Sequence, residues 1–235
     1  MHYQVEPIAL IQSPYKEKFA TPRQPGLTPA VKASIVFHPQ FATPEAVRGL
    51  EGFSHIWIIF LFHRNWNKGW TPTVRPPRLG GNLRVGVYAS RSPFRPNPIG
   101  LSAVKLLAIN NNKGKICLSV EGADLIDQTP VLDIKPYIPY GDSIPDALGG
   151  FAHKTPKKQL VVEFSQTAQA QLLIYQQQTP GLGEMLRETL SLDPRPAYQQ
   201  KAGEQQEYGV LFDRYNVRWT VRDNCLTVLA IELAE

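Results

Sequence analysis

Between Arg91 and Gly100 the chain reads Arg-Ser-Pro-Phe-Arg-Pro-Asn-Pro-Ile-Gly. Pro93, Pro96 and Pro98 fix their own φ, and each drives the residue before it, Ser92, Arg95 or Asn97, toward extended geometry. No helix can run through such a segment. Three backbone donors are also missing, so carbonyls are left to face a ligand unless the fold satisfies them. Gly100 admits a turn or a close backbone approach before apolar alternation resumes at Leu101, Ala103 and Leu106. From local sequence alone, a stiff surface loop between two strands is the ordinary reading.

Charge turns the reading toward a ligand loop. The motif lies in a 69-residue stretch, Gly52 to Val120, that contains no Asp or Glu but holds ten of the 25 Lys and Arg residues. The net charge of +5 is therefore +10 in this stretch and −5 in the rest. A bias of this kind attracts phosphate-bearing ligands and nucleic acid.

The surrounding pattern is β-rich. Strands are predicted over Val5–Ile11, Ser34–Phe37, Ile56–Phe62, Leu83–Ala89, Ser102–Asn110 and Ile116–Ala123, with a hairpin turn at Asn110–Gly114. The run Ile56–Phe62 has no polar face and is expected to be central and covered on both sides. Only Glu45–Leu50 reads as a short helix in this part. Many short strands with turn signals argue for a folded-over, barrel-like sheet.

A stretch rich in Pro, Gly, Asp and Ser, Pro139–Pro156, separates this part from a tail of different character. The expected tail is a strand, Leu160–Phe164, two amphipathic helices, Gln166–Gln178 capped by Ser165 and Leu182–Leu192, and a hairpin of Asn216–Val221 and Leu226–Leu233 around Asp223 and Asn224. The fold class is thus mainly β, α+β overall, with a folded-over, barrel-like domain over 1–147, a linker over 148–159 and a small α+β domain over 160–235. The stretch Tyr198–Glu207 reads as solvated surface.

Cys117 and Cys225 stand alone, without Cys-x-x-Cys context, and are expected to be reduced, buried and inert. The longest apolar run is far too short to span a bilayer and no secretory signal follows Met1, so a soluble, cytoplasmic protein is expected. No dinucleotide fingerprint, Walker motif or His-Glu-x-x-His is present, and the five histidines lack metal-ligand spacing. His63 beside Arg64, at the end of the central strand, is a candidate site residue. Asp124 and Asp127 place two carboxylates past a strand end, where they can accept a proton or hold ribose hydroxyls; capping and turn formation remain the alternative. Asp193-Pro194-Arg195-Pro196 repeats the device of an arginine held between prolines, and Pro22-Arg23-Gln24-Pro25-Gly26 forms an early arginine loop.

Arg91–Gly100, with Pro14-Tyr15-Lys16, Pro22-Arg23-Gln24, Phe53-Ser54-His55, Asp133–Tyr137 and Asp193–Tyr198 in that order, closely resembles the TsaA-like family. Those proteins are similar to tRNA methyltransferases acting on N6 of threonylcarbamoyladenosine beside the anticodon, at position 37. The resemblance implies a β-barrel-like fold, S-adenosylmethionine as cofactor, no metal, the tRNA anticodon loop as partner, and a homodimer with the cofactor near the subunit interface.

Carried over by motif, the cofactor residues are Pro22, Arg23, Gln24, His63, Arg64, Arg91, Leu101, Asp124, Leu125, Ile126 and Asp127. Candidate catalytic residues are Asp127, Tyr137, Arg95 and Asn97, with Asp127 or Tyr137 as base. Arg84 and Arg195 are candidates for a bidentate grip on the threonyl carboxylate. Phe94, Trp66 and Trp70 are placed to stack unpaired bases. On composition alone, a non-enzymatic RNA- or nucleotide-binding module fits as well, and the same scaffold can serve another small substrate.

Overall fold

The computed structural model describes residues 3–112, 114–156, 160–195 and 206–234. In chain order its first strands are β1 (Ala9–Gln12), β2 (Lys32–Phe37), β3 (His55–Leu61), β4 (Thr73–Val74), β5 (Val85–Gly86), β6 (Ile99–Asn112), β7 (Lys115–Glu121) and β8 (Pro130–Pro136). All but β4 and β5 close into an antiparallel barrel with the order β1-β2-β7-β6-β3-β8. Closure removes the exposed edges that an open sheet of this length would carry. The interior is filled by alternate residues, Ile11, Ile35, Ile56, Ile58, Phe60, Val104, Leu118, Val120 and Val131 among them.

The apolar strand β3 lies between β6 and β8, as its composition predicts, but only one of its faces is fully covered. Ile56, Ile58 and Phe60 point into the barrel, whereas Trp57, Ile59 and Leu61 are half-buried. A closed barrel has one interior, so the expected two-sided coverage is not reached. The outer face continues onto β6, where Leu101 pairs with Ile59 and Ile99 with Leu61 and both β6 side chains are exposed.

Gly100 explains itself in the barrel interior. A Cβ there would stand 2.2 Å from Cζ of Phe60, so the ring occupies the space that any side chain would need.

Other differences from the sequence reading have local causes. Leu83–Ala89 contributes only the two residues of β5, paired to β4, before a 3-10 turn at Val87–Ala89. Val87 is the buried large side chain of the span, whereas Leu83 and Tyr88 are exposed. The Glu45–Leu50 helix becomes two 3-10 turns, Pro44–Val47 and Leu50–Gly52, because Gly49 breaks the run at φ 85°. Strand β8 went unread because prolines bracket it and Asp133 and Lys135 interrupt its apolar pattern.

The second sheet begins after α1 (Pro139–Asp142), a single turn. It comprises β9 (Val161–Phe164), β10 (Glu207–Phe212), β11 (Tyr215–Arg222) and β12 (Cys225–Leu233) in the order β10-β11-β12-β9, with β9 parallel to β12. Helices α2 (Gln166–Tyr175) and α3 (Leu182–Ser191) belong to the same module. Ser165 caps α2, its hydroxyl accepting from the Ala168 N–H at 3.1 Å. Trp219, Tyr215 and Phe212 are the large buried side chains of this second core. Strand β10 was not foreseen. The cysteines are free but half-buried, one in each sheet, rather than fully enclosed.

The two cores are not segregated along the chain. Tyr15, Ala20 and Val31, from the segment between β1 and β2, are packed into the second core rather than into the barrel.

Candidate active site

The early loop, the proline motif and the segment after β7 meet at one end of the barrel. Gln24 Oε1 accepts a hydrogen bond from Arg91 Nη1 at 2.6 Å. The Gly26 N–H bonds to the Gly122 carbonyl at 2.8 Å, and Gly122 has φ 72° with no room for a Cβ, which would lie 3.0 Å from Gly26 Cα. Glycine at 122 is therefore required twice, by conformation and by contact. Pro22 is buried beside this junction while Arg23 presents its side chain outward.

Asp124 follows directly. Its Oδ1 accepts from the Ser102 hydroxyl at 2.6 Å, which ties the segment after β7 to the inner face of β6. Burial pushes the Asp124 carboxyl up to about 6, against the lowering effects of the Ser102 hydroxyl, a backbone N–H and the Arg91 guanidinium. A buried, perturbed carboxylate near a cation in a loop cluster makes Asp124 a candidate for a functional site.

Asp127 has another job. Its Oδ2 pairs with Lys16 Nζ at 2.9 Å and its Oδ1 takes the Ser13 N–H at 2.9 Å, so both oxygens are engaged in holding the start of the early loop. Leu125 is buried in the barrel core and Ile126 supplies a carbonyl to the Thr129 hydroxyl at 2.6 Å.

His63 and Arg64 open a 3-10 segment, His63–Lys68, at the end of β3. Arg64 Nη2 donates to the Lys16 carbonyl at 2.6 Å, so this pair joins the same loop system. Lys18 bonds to Asn65 Oδ1. Burial lowers the His63 pKa, assisted by Arg64 and Lys18, and burial with Lys68 and Arg64 lowers that of Lys18. Like charges gathered without a carboxylate raise the local affinity for an anion.

The proline motif satisfies its own carbonyls. Arg95 Nη1 donates to the Ser90 carbonyl at 2.8 Å and more weakly to those of Ser92 and Val87. The Pro98 carbonyl takes the Phe62 N–H at 2.8 Å, and the Asn97 carbonyl takes that of Ile99 at 2.7 Å. Arg95 thus braces the loop that presents Arg91, and these carbonyls are not left to face a ligand. Asn97 and Phe94 sit on the exposed side of the motif.

The remaining candidates lie apart. Tyr137 is at the opposite end of β3 from His63, its N–H on the His55 carbonyl and its ring 5.5 Å from that of Trp57. Arg84 stands next to the β4–β5 ribbon, bonded to Thr73 Oγ1 at 2.9 Å. Arg195 is buried in the second module and grips Asp193 through Nε and Nη2 at 2.8 and 2.9 Å, so a carboxylate of the protein fills its fork. Pro196, Ala197 and Tyr198 of that motif lie outside the described residues. Trp66 and Trp70, on the basic excursion after β3, are each 52% exposed. Ser102 is not among the residues the sequence singles out, although a serine among the apolar residues of β6 is a signal, and Lys16 enters only through the Pro14-Tyr15-Lys16 motif, with no role attached.

The profile of the tRNA-methyltransferase O N-terminal domain matches residues 10–143, and that of the TrmO C-terminal domain matches residues 157–234. The chain belongs to the tRNA-methyltransferase O family. A relative named tRNA (adenine(37)-N6)-methyltransferase, from Escherichia coli (strain K12), is 47% identical over 230 residues, 98% of either chain. Another, from Pseudomonas aeruginosa and named a putative S-adenosylmethionine-dependent methyltransferase, is 44% identical over 220 residues, 93% of each. A crystal structure of TrmO from P. aeruginosa superimposes with a TM-score of 0.81 at 36% identity, covering 100% of this chain and 98% of that one.

A cofactor of the S-adenosylmethionine type has a sulfonium, ribose hydroxyls and an amino-acid carboxylate. The cluster offers the Asp124 carboxylate for the first two and the Arg91 guanidinium for the third, so the residues present fit the group.

Proposed function

We propose that the protein methylates N6 of adenosine 37 in tRNA carrying the threonylcarbamoyl group, with S-adenosylmethionine as cofactor. The observation that carries the reading is the convergence of Gln24, Arg91 and the perturbed Asp124 at one barrel end, in a chain that follows a tRNA methyltransferase along its whole length. The cofactor supplies an electrophilic methyl group. The protein's part is alignment and exclusion of water, because an in-line displacement gains most from fixed geometry.

Asp124, ionised above about pH 6, faces the positive end or the ribose, and Arg91 faces the carboxylate. Pro22, Arg23, Gln24, His63, Arg64, Leu101 and the backbone of Leu125 and Ile126 complete the pocket wall. Asp127, with both oxygens engaged, positions the early loop rather than taking the N6 proton. Arg95 positions Arg91 by holding the motif closed. Tyr137 remains the candidate base only if the substrate reaches across the outer face of β3, and Asn97 stands where an incoming base would pass.

The basic excursion holds the anticodon loop, with Trp66, Trp70 and Phe94 stacking unpaired bases and Arg84 contacting the backbone or the threonyl carboxylate. The apolar outer face of Ile59, Leu61, Ile99 and Leu101 is the surface offered to a second copy in a homodimer. A tRNA substrate supports a cytoplasmic location. No helix among the described residues is long and apolar enough to cross a membrane.

Nucleoside mass spectrometry after incubating the purified protein with S-adenosylmethionine and tRNA carrying or lacking the threonylcarbamoyl group tests the reading. A methyl group on the modified nucleoside alone is expected. No methylation of either tRNA by folded protein overturns it.

A further inference from the structure

The segment between β1 and β2 has a double attachment. Its two ends are fixed to the C-terminal module, and its middle carries Pro22–Gln24, read above as one wall of the cofactor pocket. Near the first end, the Asp213 N–H bonds to the Pro14 carbonyl at 2.7 Å, and Glu17 Oε1 takes the Leu211 N–H at 2.9 Å. Near the second, Glu188 of α3, itself buried, accepts the Ala30 N–H through Oε2 at 2.6 Å.

Tyr15 ties both ends together. Its ring is buried edge-on to Phe212 at 5.7 Å, and its hydroxyl meets Thr28 Oγ1 at 2.9 Å and Thr189 Oγ1 at 3.4 Å. Phe19 stacks on Trp219 at 5.7 Å. Between these anchors Ala20, a non-glycine residue, is held at φ 66°, a backbone state that persists only where surrounding packing over-determines it. Two residues later the pocket wall begins.

We propose that the C-terminal module is a positioning element of the cofactor pocket, acting through this strap, with Glu188 and Thr189 of α3 as its positioning residues. The inference rests on the reading of Pro22–Gln24 and Arg91 as cofactor wall. If the strap is released, the wall is correctly placed in only a fraction of molecules, and apparent affinity falls by that fraction while intrinsic contacts are unchanged. A carboxylate accepting a buried backbone N–H is a strong hydrogen bond whose loss leaves the donor unpaired. The module therefore contributes to the barrel's chemistry through the strap.

The test uses the full-length protein and three variants, Glu188→Ala, Glu188→Gln and Thr189→Val, each measured for S-adenosylmethionine affinity by calorimetry, for kcat and for thermal stability. Glu188→Ala is expected to weaken cofactor binding about tenfold, with kcat at saturating cofactor little changed. Glu188→Gln keeps an acceptor oxygen in place and is expected to recover most of the affinity. Thr189→Val is the milder perturbation that remains informative if Glu188→Ala does not fold, and a loss of affinity of roughly twofold to fivefold is expected.

Variants that lose stability while binding the cofactor as tightly as the wild type reduce the contacts to plain packing and overturn the proposal. Gln24→Ala separates the two failures. If it weakens binding and the α3 variants do not, only the strap proposal fails. If it too leaves binding intact, the pocket reading fails and the strap proposal with it.

Discussion

Replacing Ser102 by alanine isolates the hydrogen bond that keeps Asp124 ionisable. The Ser102 hydroxyl donates to Asp124 Oδ1 at 2.6 Å, and burial already holds the carboxyl at about 6. A hydrogen bond to a charged acceptor is worth about 1.5–3 kcal/mol, and one pKa unit is about 1.4 kcal/mol. Its removal is therefore expected to raise the Asp124 pKa by roughly one to two units. At neutral pH the ionised fraction falls from about nine-tenths to between a tenth and a half.

Calorimetric titration with S-adenosylmethionine across a pH series reads this directly. Wild-type affinity is expected to rise through about pH 6 and then level, and the Ser102→Ala curve to rise one to two pH units later and reach nearly the same plateau. A Ser102→Ala curve that parallels the wild type at every pH, displaced only in magnitude, refutes the argument, because the serine would then act by packing alone.

Three further outcomes are expected. Because the folded Asp124 pKa lies above its ordinary value of 3.8, the native state binds the proton more tightly, and stability is lost as pH rises from that value to about 6. Asp124→Asn avoids this loss, so its melting temperature should exceed that of the wild type above about pH 6 and converge with it in acid, while cofactor binding is impaired; equal melting temperatures at neutral pH contradict this. Gly100→Ala forces a methyl group against the Phe60 ring and should cost about 1–3 kcal/mol in chemical denaturation, with Phe60→Leu restoring part of it; a neutral Gly100→Ala means the barrel interior is looser than described. Trp66→Ala and Trp70→Ala should each reduce tRNA affinity by about 1–3 kcal/mol and leave S-adenosylmethionine affinity unchanged, and an effect on both ligands rules out a separate RNA-stacking surface.

Much of this architecture is legible in the residues themselves. Alternation in Lys115–Glu121 and Tyr215–Arg222 reports one buried face directly, and Ser165 marks the start of α2 by its chemistry. The acid-free stretch and the prolines around Arg95 point to the loop whose Arg91 bonds to Gln24. What local sequence does not carry is pairing between distant segments. Strand β8 is recognisable only once β3 and β1 offer it partners, because its own pattern is broken by Asp133 and Lys135. Leu83–Ala89 looks like a strand but finds only two residues to pair with.

The site shows the same division. Asp124 and Asp127 are equivalent in sequence, two carboxylates past one strand end. Burial, opposed by Ser102 and Arg91, makes one of them a perturbed carboxyl, and Lys16 and the Ser13 N–H make the other a latch. Arg195 has the same proline-flanked context as Arg95, but Asp193 occupies its guanidinium. The two aspartates are told apart by residues distant in the chain, Ser102 for one and Lys16 and Ser13 for the other, whereas Arg195 is taken by Asp193 only two residues before it.

S-adenosylmethionine titration of the purified full-length protein and of its Arg91→Ala variant, without RNA, tests the central claim most directly. The wild type is predicted to bind one cofactor per chain, and Arg91→Ala to lose at least about tenfold in affinity through the missing charge-assisted hydrogen bond. A folded wild type that does not bind, or a variant that binds as tightly as the wild type, contradicts the pocket assigned to Gln24, Arg91 and Asp124.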